Sequence, residues 1–262
     1  MRPTRSAFLL FVTFLISVPV AAQQPPRRDP QAVAVLTQCL DAAGGMAAMA
    51  GIQDFTASGT VTYAWAGKEL TVPATVRGRG LDQFRVDWLL PNGTQSWTVS
   101  KGAGSRKDVM RNISPIPYHN AANLGSLTFP LLQISAALHD PTLMVTYQGV
   151  AQTPSGQAHR VQVSKNLVGG TDQRAVLSKL TLKDYFIDVT TLRVVSTLYM
   201  IHPDNDATRD FPDEIQFSDY RPVNGVLAPF SITEQIGGVR TWVIHLSRIS
   251  FNRGLGDADF KL

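Results

Sequence analysis

The sequence predicts a mainly β fold of the α+β type, in which one strongly curved antiparallel sheet wraps around helices. Three observations lead to it. Hydrophobic periodicity changes from helical spacing to alternation at Phe55. Turn residues then recur about every 12 residues, as in an antiparallel meander. The run VRTWVIHLSRISF, at 239–251, is apolar on both faces and therefore needs cover on both sides.

The first 22 residues have the three parts of a secretory signal peptide. Arg2 and Arg5 form a basic start, residues 7–18 are apolar, and small residues at 20–22 predict cleavage after Ala22. An uncleaved anchor is the alternative, although the apolar run is shorter than the ~20 residues of a membrane-spanning helix. We therefore expect a periplasmic or secreted protein with no transmembrane segment after cleavage.

A single domain is predicted at 30–262, after a short leader at 23–29. A chain of this length can build a substantial core, and no change in composition marks a second domain. The chain has 24 basic and 20 acidic residues, so its excess of positive charge is small. Because no stripe of Lys and Arg interleaves with aromatic residues, we expect no nucleic-acid partner.

The first predicted element is a helix at 30–43, within DPQAVAVLTQCLDAAGG. Asp29 can cap its start, Pro30 suits its first turn, and Gly44-Gly45 ends it. The one cysteine, Cys39, lies among its apolar residues. A lone cysteine forms no internal disulfide, and we expect it to pack as a small buried hydrophobic side chain.

A second helix is predicted at 129–139, where FPLLQISAALH is apolar over much of its surface. Thr128 can cap it, Pro130 lies in its first turn, and HDP at 139–141 stops it. The segment before it, RNISPIPYHNAANLGS at 111–126, is rich in Pro and Asn and predicts a long loop. Both helices are expected on the concave side of the sheet.

Strands are predicted for most of the remaining chain. Before the second helix, alternation defines inward-facing residues: Val61, Tyr63, Trp65, Phe84, Val86, Trp88, Leu90, Trp97 and Val99. Seven further apolar runs follow that helix. Two of them are joined in FSDYRPVNGVLAPFSI, residues 217–232, where Asn224-Gly225 favours a tight hairpin turn with positive φ.

The order of these pieces resembles that of the bacterial LolA-like and LolB-like group, the outer-membrane lipoprotein-sorting proteins. Early in the domain the chain reads GGMAAMAGIQDFTASGTV: two glycines, a short helix, then a strand that contains glycine. Later it reads DYRPVNGVLAPFSI and VRTWVIHLSRISFN, and it ends in GDADFKL. The resemblance extends over roughly residues 30–262, with its motif-like detail at the two ends.

This resemblance implies a half-open β-barrel of about eleven antiparallel strands with helices across its concave face. It also implies a cavity between sheet and helices that holds acylated ligands. The expected function is a carrier or binding protein for lipid, acyl chain or lipoprotein. The expected partner is a lipid or an acylated protein, and a protein of the outer membrane or envelope is a second candidate partner.

Five residues are predicted to line that cavity. Trp88 and Trp97 have the inward phase on neighbouring strands, and Phe129, Leu131 and Leu132 lie on the apolar helix beside the long loop. Large apolar residues at such positions are also ordinary core residues. Contact with a ligand is therefore a hypothesis beyond their burial.

No catalytic, metal or cofactor site is predicted. The histidines form no HExxH motif, the acidic segment at 202–214 lacks the Gly and Glu of a calcium loop, and no G-x-S-x-G elbow is present. Two alternatives to the carrier stay open. One is a non-catalytic envelope scaffold or interaction module with a filled interior. The other is an uncharacterised hydrolase whose Ser, His and Asp meet only in space.

Overall fold

Thirteen strands form one antiparallel sheet in the part of the chain that the structure describes. The structure is a computed structural model and describes residues 28–65, 67–124, 129–165, 176 and 178–262. The strands are β1 Asp54–Trp65, β2 Lys68–Arg79, β3 Gln83–Leu90, β4 Gly93–Ser100, β5 Ala103–Lys107, β6 Ile113–Ile116, β7 Leu143–Thr153, β8 Gly156–Lys165, β9 Lys183–Asp188, β10 Val194–Ile201, β11 Phe211–Val223, β12 Val226–Ile236 and β13 Val239–Phe251. The predicted signal peptide and its cleavage site lie outside the described residues.

The order of strands across the sheet is β6-β5-β4-β3-β2-β1-β13-β12-β11-β10-β9-β8-β7. The first strand, β1, pairs with the last strand, β13, so the two ends of the domain meet in the middle of the sheet. The outermost strands, β6 and β7, do not pair, and the curled sheet stays open. The predicted fold class is therefore confirmed, with 13 strands in place of the eleven or so that the resemblance implies.

Two helices cover the inner face of the sheet. The helices with described bounds are α1 Pro30–Ala42, α2 Met46–Ala50, α3 Tyr118–Leu124 and α4 Pro130–His139. α1 and α4 contact each other, α1 packs on β7 and β8, and α4 packs on β10. Both predicted helices are confirmed to within one residue at each end. No helix among the described residues combines the length and hydrophobicity that crossing a bilayer requires.

The start of the packed domain includes Arg28 and Asp29, which the sequence assigns to the leader. The guanidinium of Arg28 donates hydrogen bonds to the carbonyls of Ala137 at 2.8 Å and Asp140 at 2.9 Å, at the end of α4. A cation there complements the helix dipole and its unpaired carbonyls. Asp29 caps α1 as predicted, because its side chain accepts a hydrogen bond from the Gln31 backbone N–H.

The segment predicted as a long loop, 111–126, instead contains β6 and α3 in its described part. β6 has only four residues and pairs with β5 at the edge of the sheet, where a proline such as Pro115 is tolerated. α3 is held by Asn120, whose side chain donates to the carbonyl of His202 at 2.8 Å and accepts from its N–H at 3.0 Å. The loop prediction was wrong because it depended on the high Pro and Asn content of the segment, whereas contacts with distant residues give the segment its regular structure.

The predicted hairpin at 217–232 is confirmed as the turn between β11 and β12. Asn224 and Gly225 have φ values of 48° and 83°, the left-handed values that the sequence indicates. The turn contacts the end of α1: the Leu227 N–H donates to the carbonyl of Ala43 at 2.9 Å. Gly44 has a φ of +123°, and a Cβ on it would lie 2.3 Å from the Gly225 carbonyl oxygen. Only glycine permits this approach.

The chain after β13 is tied back to the start of β1. The buried carboxylate of Asp54 accepts hydrogen bonds from three successive backbone N–H groups, those of residues 253–255, at 2.6, 2.9 and 3.1 Å. Asn252 connects the end of β13 to the residues just before β1. Its side-chain amide donates to the Gly51 carbonyl and accepts from the Gln53 N–H, both at 2.8 Å. Further along, Phe260 is buried, and Thr98 donates to its carbonyl at 3.0 Å.

Gly44→Ala should destabilise the protein by about 3 kcal/mol, because the new methyl group meets the turn and the backbone conformation is also unfavourable. Gly45→Ala is the matched control. Gly45 also has a positive φ, of +87°, but no atom lies within 4 Å of its ideal Cβ. Gly45→Ala should lower the free energy of unfolding by only ~1–2 kcal/mol, the cost of a left-handed backbone conformation. Denaturant unfolding measures both, and equal losses would contradict the close contact between Gly44 and the turn.

Candidate functional site

An aromatic cavity of about 240 Å³ opens on the inner face of the sheet. Its lining residues are Phe84, Val86, Trp88, Trp97, Leu124, Glu234, Trp242 and Ile244. The ring centroids of Trp88 and Trp97 are 4.6 Å apart and their planes are inclined by 64°, so the two indoles form a corner. Tyr63 stacks behind Trp88 at a centroid distance of 5.2 Å. The cavity is thus apolar and aromatic except for one carboxyl group.

Strand register brings these side chains together. Val86 on β3 pairs with Trp97 on β4, and alternation puts Phe84 and Trp88 on the same face. On the other side, Trp242 of β13 lies directly opposite Glu234 of β12. Leu124, at the end of α3, is the contribution of a helix. The cavity therefore joins parts of the chain that are about 150 residues apart.

The structure brings together two of the five residues predicted to bind a ligand. Trp88 is buried and Trp97 half-buried, and both line the aromatic cavity. Phe129 packs in the core, with its ring 5.7 Å from that of Phe55 and 5.5 Å from that of Phe251. Leu131 is buried in the core and Leu132 is half-buried against it, and neither is among the lining residues. Ligand contact by Phe129, at the start of α4, and by Leu131 and Leu132 within it stays a prediction.

Glu234 is the functional candidate that sequence reasoning missed. The alternation of Phe230, Ile232 and Glu234 along β12 already placed its side chain on the inward face, but a single acidic residue in SITEQI gives no motif. Thr241 donates a hydrogen bond to its carboxylate. Burial, followed by the nearby acid Asp213, raises the pKa of Glu234 to about 8. The carboxyl group is therefore largely protonated at neutral pH.

A polar row crosses the inner face beside this carboxyl group. Lys183 on β9, Tyr199 on β10 and Asp213 on β11 are in register. Burial raises the pKa of Asp213 to about 7, partly offset by a hydrogen bond from Tyr199 and the charge of Lys183. Burial likewise lowers the pKa of Lys183 to about 7, against the opposing effect of Asp213. Both buried groups are thus driven towards their neutral forms.

A second cavity, also about 240 Å³, lies at the lysine end of the row. Lys183, Tyr185 and Gln133 of α4 are among the residues that line it. The Tyr185 hydroxyl donates to the Gln133 side-chain oxygen at 2.6 Å, and Lys183 donates to the same atom at 3.4 Å. One of these two cavities therefore lies beside a lysine and the other beside a glutamate.

The described residues contain no group of three or more His, Cys, Asp or Glu arranged to hold a metal ion. Cys39 is buried as predicted, and burial raises the pKa of its thiol to about 12. Such a thiol is not a nucleophile at neutral pH.

Comparison with solved structures identifies the architecture. An outer-membrane lipoprotein-sorting protein domain from Vibrio parahaemolyticus superimposes with a TM-score of 0.55 over 87% of this chain and 95% of that chain, at 11% identity. A LolA-superfamily protein from Nitrosomonas europaea gives a TM-score of 0.54 over 86% and 96%, also at 11% identity. The chain has a LolA-like fold.

The LolA-like resemblance read from the sequence is thus confirmed at the level of the fold. No family model matches the chain, and no curated protein matches it. At 11% identity the shared architecture carries no residue-by-residue assignment of the LolA-like site. The aromatic cavity therefore has to be interpreted from its own side chains.

The raised pKa of Glu234 makes stability depend on pH. A carboxyl group that holds its proton more tightly in the folded than in the unfolded chain loses its stabilising contribution as pH rises from the unfolded value, 4.5, to the folded value, about 8. Glu234→Gln removes this loss. The variant should gain stability relative to the wild type between pH 5 and pH 8, as measured by denaturant unfolding at each pH.

Glu214→Gln serves as the control for this measurement. Glu214 lies between the buried residues Asp213 and Ile215 on β11, so its side chain faces away from the inner face. This variant shows how the loss of a carboxyl group on the opposite face of the sheet affects stability over the same pH range. A difference between Glu234→Gln and the wild type that stays constant over this range would contradict the raised pKa of Glu234.

Proposed function

We propose that this protein is a carrier or binding protein of the cell envelope that shields the apolar part of a lipid or acylated ligand. The observation that supports it most directly is the aromatic cavity on the inner face of a LolA-like fold. An acyl chain gains ~0.8 kcal/mol for each CH₂ that it buries. A cavity lined by Trp88, Trp97 and Trp242 offers such burial together with rigid, well-packed walls.

The size of the cavity sets how much of a ligand it holds. An apolar cavity of ~150 Å³ accommodates benzene, and the aromatic cavity has about 240 Å³. It therefore fits a head group or a short length of chain. A long acyl chain would extend beyond it, past Leu124 of α3. His119 and Asn120 of α3 are hydrogen-bonded to Pro203 and His202, just after β10, and a small shift of this helix would widen the cavity.

The rest of the interior favours the scaffold as the second candidate function. Leu36, Leu40, Leu131 and Ile134 are fully buried between helices and sheet, and Phe129 packs against two other aromatic rings. Native packing density leaves no room for a ligand there. A scaffold would keep the fold and use an outer surface, and the aromatic cavity would then be only a packing defect.

An enzyme would need polar groups that converge on one cavity. Among the described residues, Glu234 is the only titratable side chain that lines the aromatic cavity, and no Ser, Cys or His accompanies it. Asp213 is buried in the sheet beside it, whereas Lys183 lines the second cavity together with Ser164 and Tyr185. The lining of the aromatic cavity therefore supports a binding function better than a hydrolytic one.

Val86→Phe should weaken binding by filling part of the aromatic cavity. The purified wild-type protein is expected to bind a fluorescent fatty acid or lysophospholipid saturably, with a Kd of roughly 1 μM, about −8 kcal/mol. The larger side chain should weaken this at least ~10-fold, or about 1.4 kcal/mol. A fluorescence titration measures the affinity, with circular dichroism alongside to show that the variant is folded.

Val239→Phe is the matched control, since Val239 is 69% exposed at the start of β13 and should bind like the wild type. A folded wild-type protein that binds no acyl ligand and copurifies with none would remove the carrier and favour the scaffold. Equal binding by the folded Val86→Phe variant would place the ligand outside the aromatic cavity.

Export is a part of the proposal that can be tested separately. The protein is expected in the periplasm or the medium, with an N-terminus at Gln23 after removal of residues 1–22. N-terminal sequencing or intact mass of the exported protein measures this. Recovery of the full-length chain in the membrane fraction would show that the apolar segment is an anchor.

A further inference from the structure

The aromatic cavity contains one feature that an apolar chain does not require, the carboxyl group of Glu234. Burying a carboxyl group among indoles is unfavourable unless it has a partner. Its partners are a hydroxyl, that of Thr241, and the side chain of Trp242. Among the described residues it forms no ion pair with Lys, Arg or His. The site thus has a carboxyl group without a counter-ion.

No positively charged side chain among the described residues pairs with Glu234. Asp213, on the neighbouring strand β11, is acidic and raises the pKa of Glu234 further. From β13 the facing side chains are Thr241 and Trp242, which are uncharged. The nearest cation in the polar row is Lys183, which lies on the far side of Tyr199 and acts on Asp213. A ligand would have to supply the charge.

The aromatic walls are suited to a cation. Trp88 and Trp97 meet as a corner, with centroids 4.6 Å apart, and Trp242 faces Glu234 across the strand pair. Indole faces attract ammonium groups within about 6 Å of the ring centroid, and several aromatic rings around one site are the arrangement that binds quaternary ammonium ions. The volume of about 240 Å³ is sufficient for such a group.

A second observation points to a ligand in the same cavity. The indole N–H of Trp88 is buried and has no hydrogen-bond partner, and the residue is only 8% exposed. A buried donor without an acceptor destabilises the protein. An uncharged acceptor, such as an ester carbonyl oxygen a few atoms from a cationic centre, would satisfy it.

We propose that the aromatic cavity binds the cationic head of an amphiphile, a quaternary or primary ammonium group, with Glu234 as the counter-charge and the three tryptophans as its walls. This inference rests on the proposed binding function and names the chemistry of its ligand. It excludes free fatty acids as the preferred ligands, because their carboxylate would meet Glu234 and Asp213.

Cation binding at this site releases a proton. The carboxyl group of Glu234 has a pKa of about 8 in the free protein and must ionise to act as a counter-charge. Affinity for a permanently charged ligand should therefore rise with pH, by about tenfold between pH 6.5 and pH 8.5. Glu234→Gln should show no such rise.

The experiment compares amphiphiles that share one dodecyl chain and differ in their heads: dodecyltrimethylammonium, dodecylammonium, dodecanol and dodecanoate. Each is titrated at pH 8.5 below its micelle concentration or, for dodecanol, below its solubility limit, with tryptophan fluorescence or calorimetry as the readout. The two cations should bind wild-type protein at least ~10-fold more tightly than dodecanoate, about 1.4 kcal/mol. Preference for the trimethyl head would assign most of the affinity to the indoles, and preference for the primary amine to the hydrogen bond with Glu234.

Glu234→Gln and Glu214→Gln complete the test. The first variant should bind dodecanol as well as the wild type does and lose the preference for cations, whereas the second should behave as wild type. Dodecanoate binding as tightly as the cations, or a cation preference that survives in Glu234→Gln, would overturn the inference and leave the proposed function intact. Failure of all four amphiphiles to bind would overturn both.

Discussion

The sheet does not close into a barrel, so its apolar inner face must be covered by other parts of the chain. The rest of the structure depends on this cover. A closed barrel buries its interior with its own side chains. Here β6 and β7 stay apart, and α1 and α4 supply the missing apolar surface on the side of β7 to β10. On the side of β3, β4 and β13, tryptophan side chains replace helices as the cover. The aromatic cavity lies on this second side, and no residue of α1 or α4 is among its lining residues.

The pieces of sequence that carry the family resemblance turn out to hold the fold together. Gly44 permits the end of α1 to touch the Asn224-Gly225 turn. Asp54, in QDF, binds the backbone just after β13, and Asn252 returns to the residues before β1. These contacts join segments far apart in sequence and fix how the first and last strands meet. They explain why the resemblance predicted the architecture correctly but assigned no residue to a ligand site, since none of these residues lines the aromatic cavity.

Local signals predicted the helices, the hairpin and the inward phase of Trp88 and Trp97, because caps, turn residues and alternation act within a few residues. They failed where order comes from distant partners. β6 and α3 lack periodicity of their own and are stabilised by β5 and by His202. Glu234 was missed for the same reason. Its significance comes from Trp242 across a strand pair, from Asp213 on the other neighbouring strand and from Trp88 and Trp97, more than 130 residues earlier.

The polar row arranges basic and acidic groups in a fixed order across the interior. Lys183 lies at one end, beside the second cavity, and Glu234 lies near the other, in the aromatic cavity, with Asp213 between them. The charge of Lys183 partly opposes the rise in the pKa of Asp213, and Asp213 in turn raises the pKa of Glu234. A positive charge held at Glu234 would relieve both acids at once, because each would gain a nearby opposite charge. Under the proposed cation binding, a ligand of the matching sign would offset part of the cost of burying these acids, and the row would then contribute to selectivity.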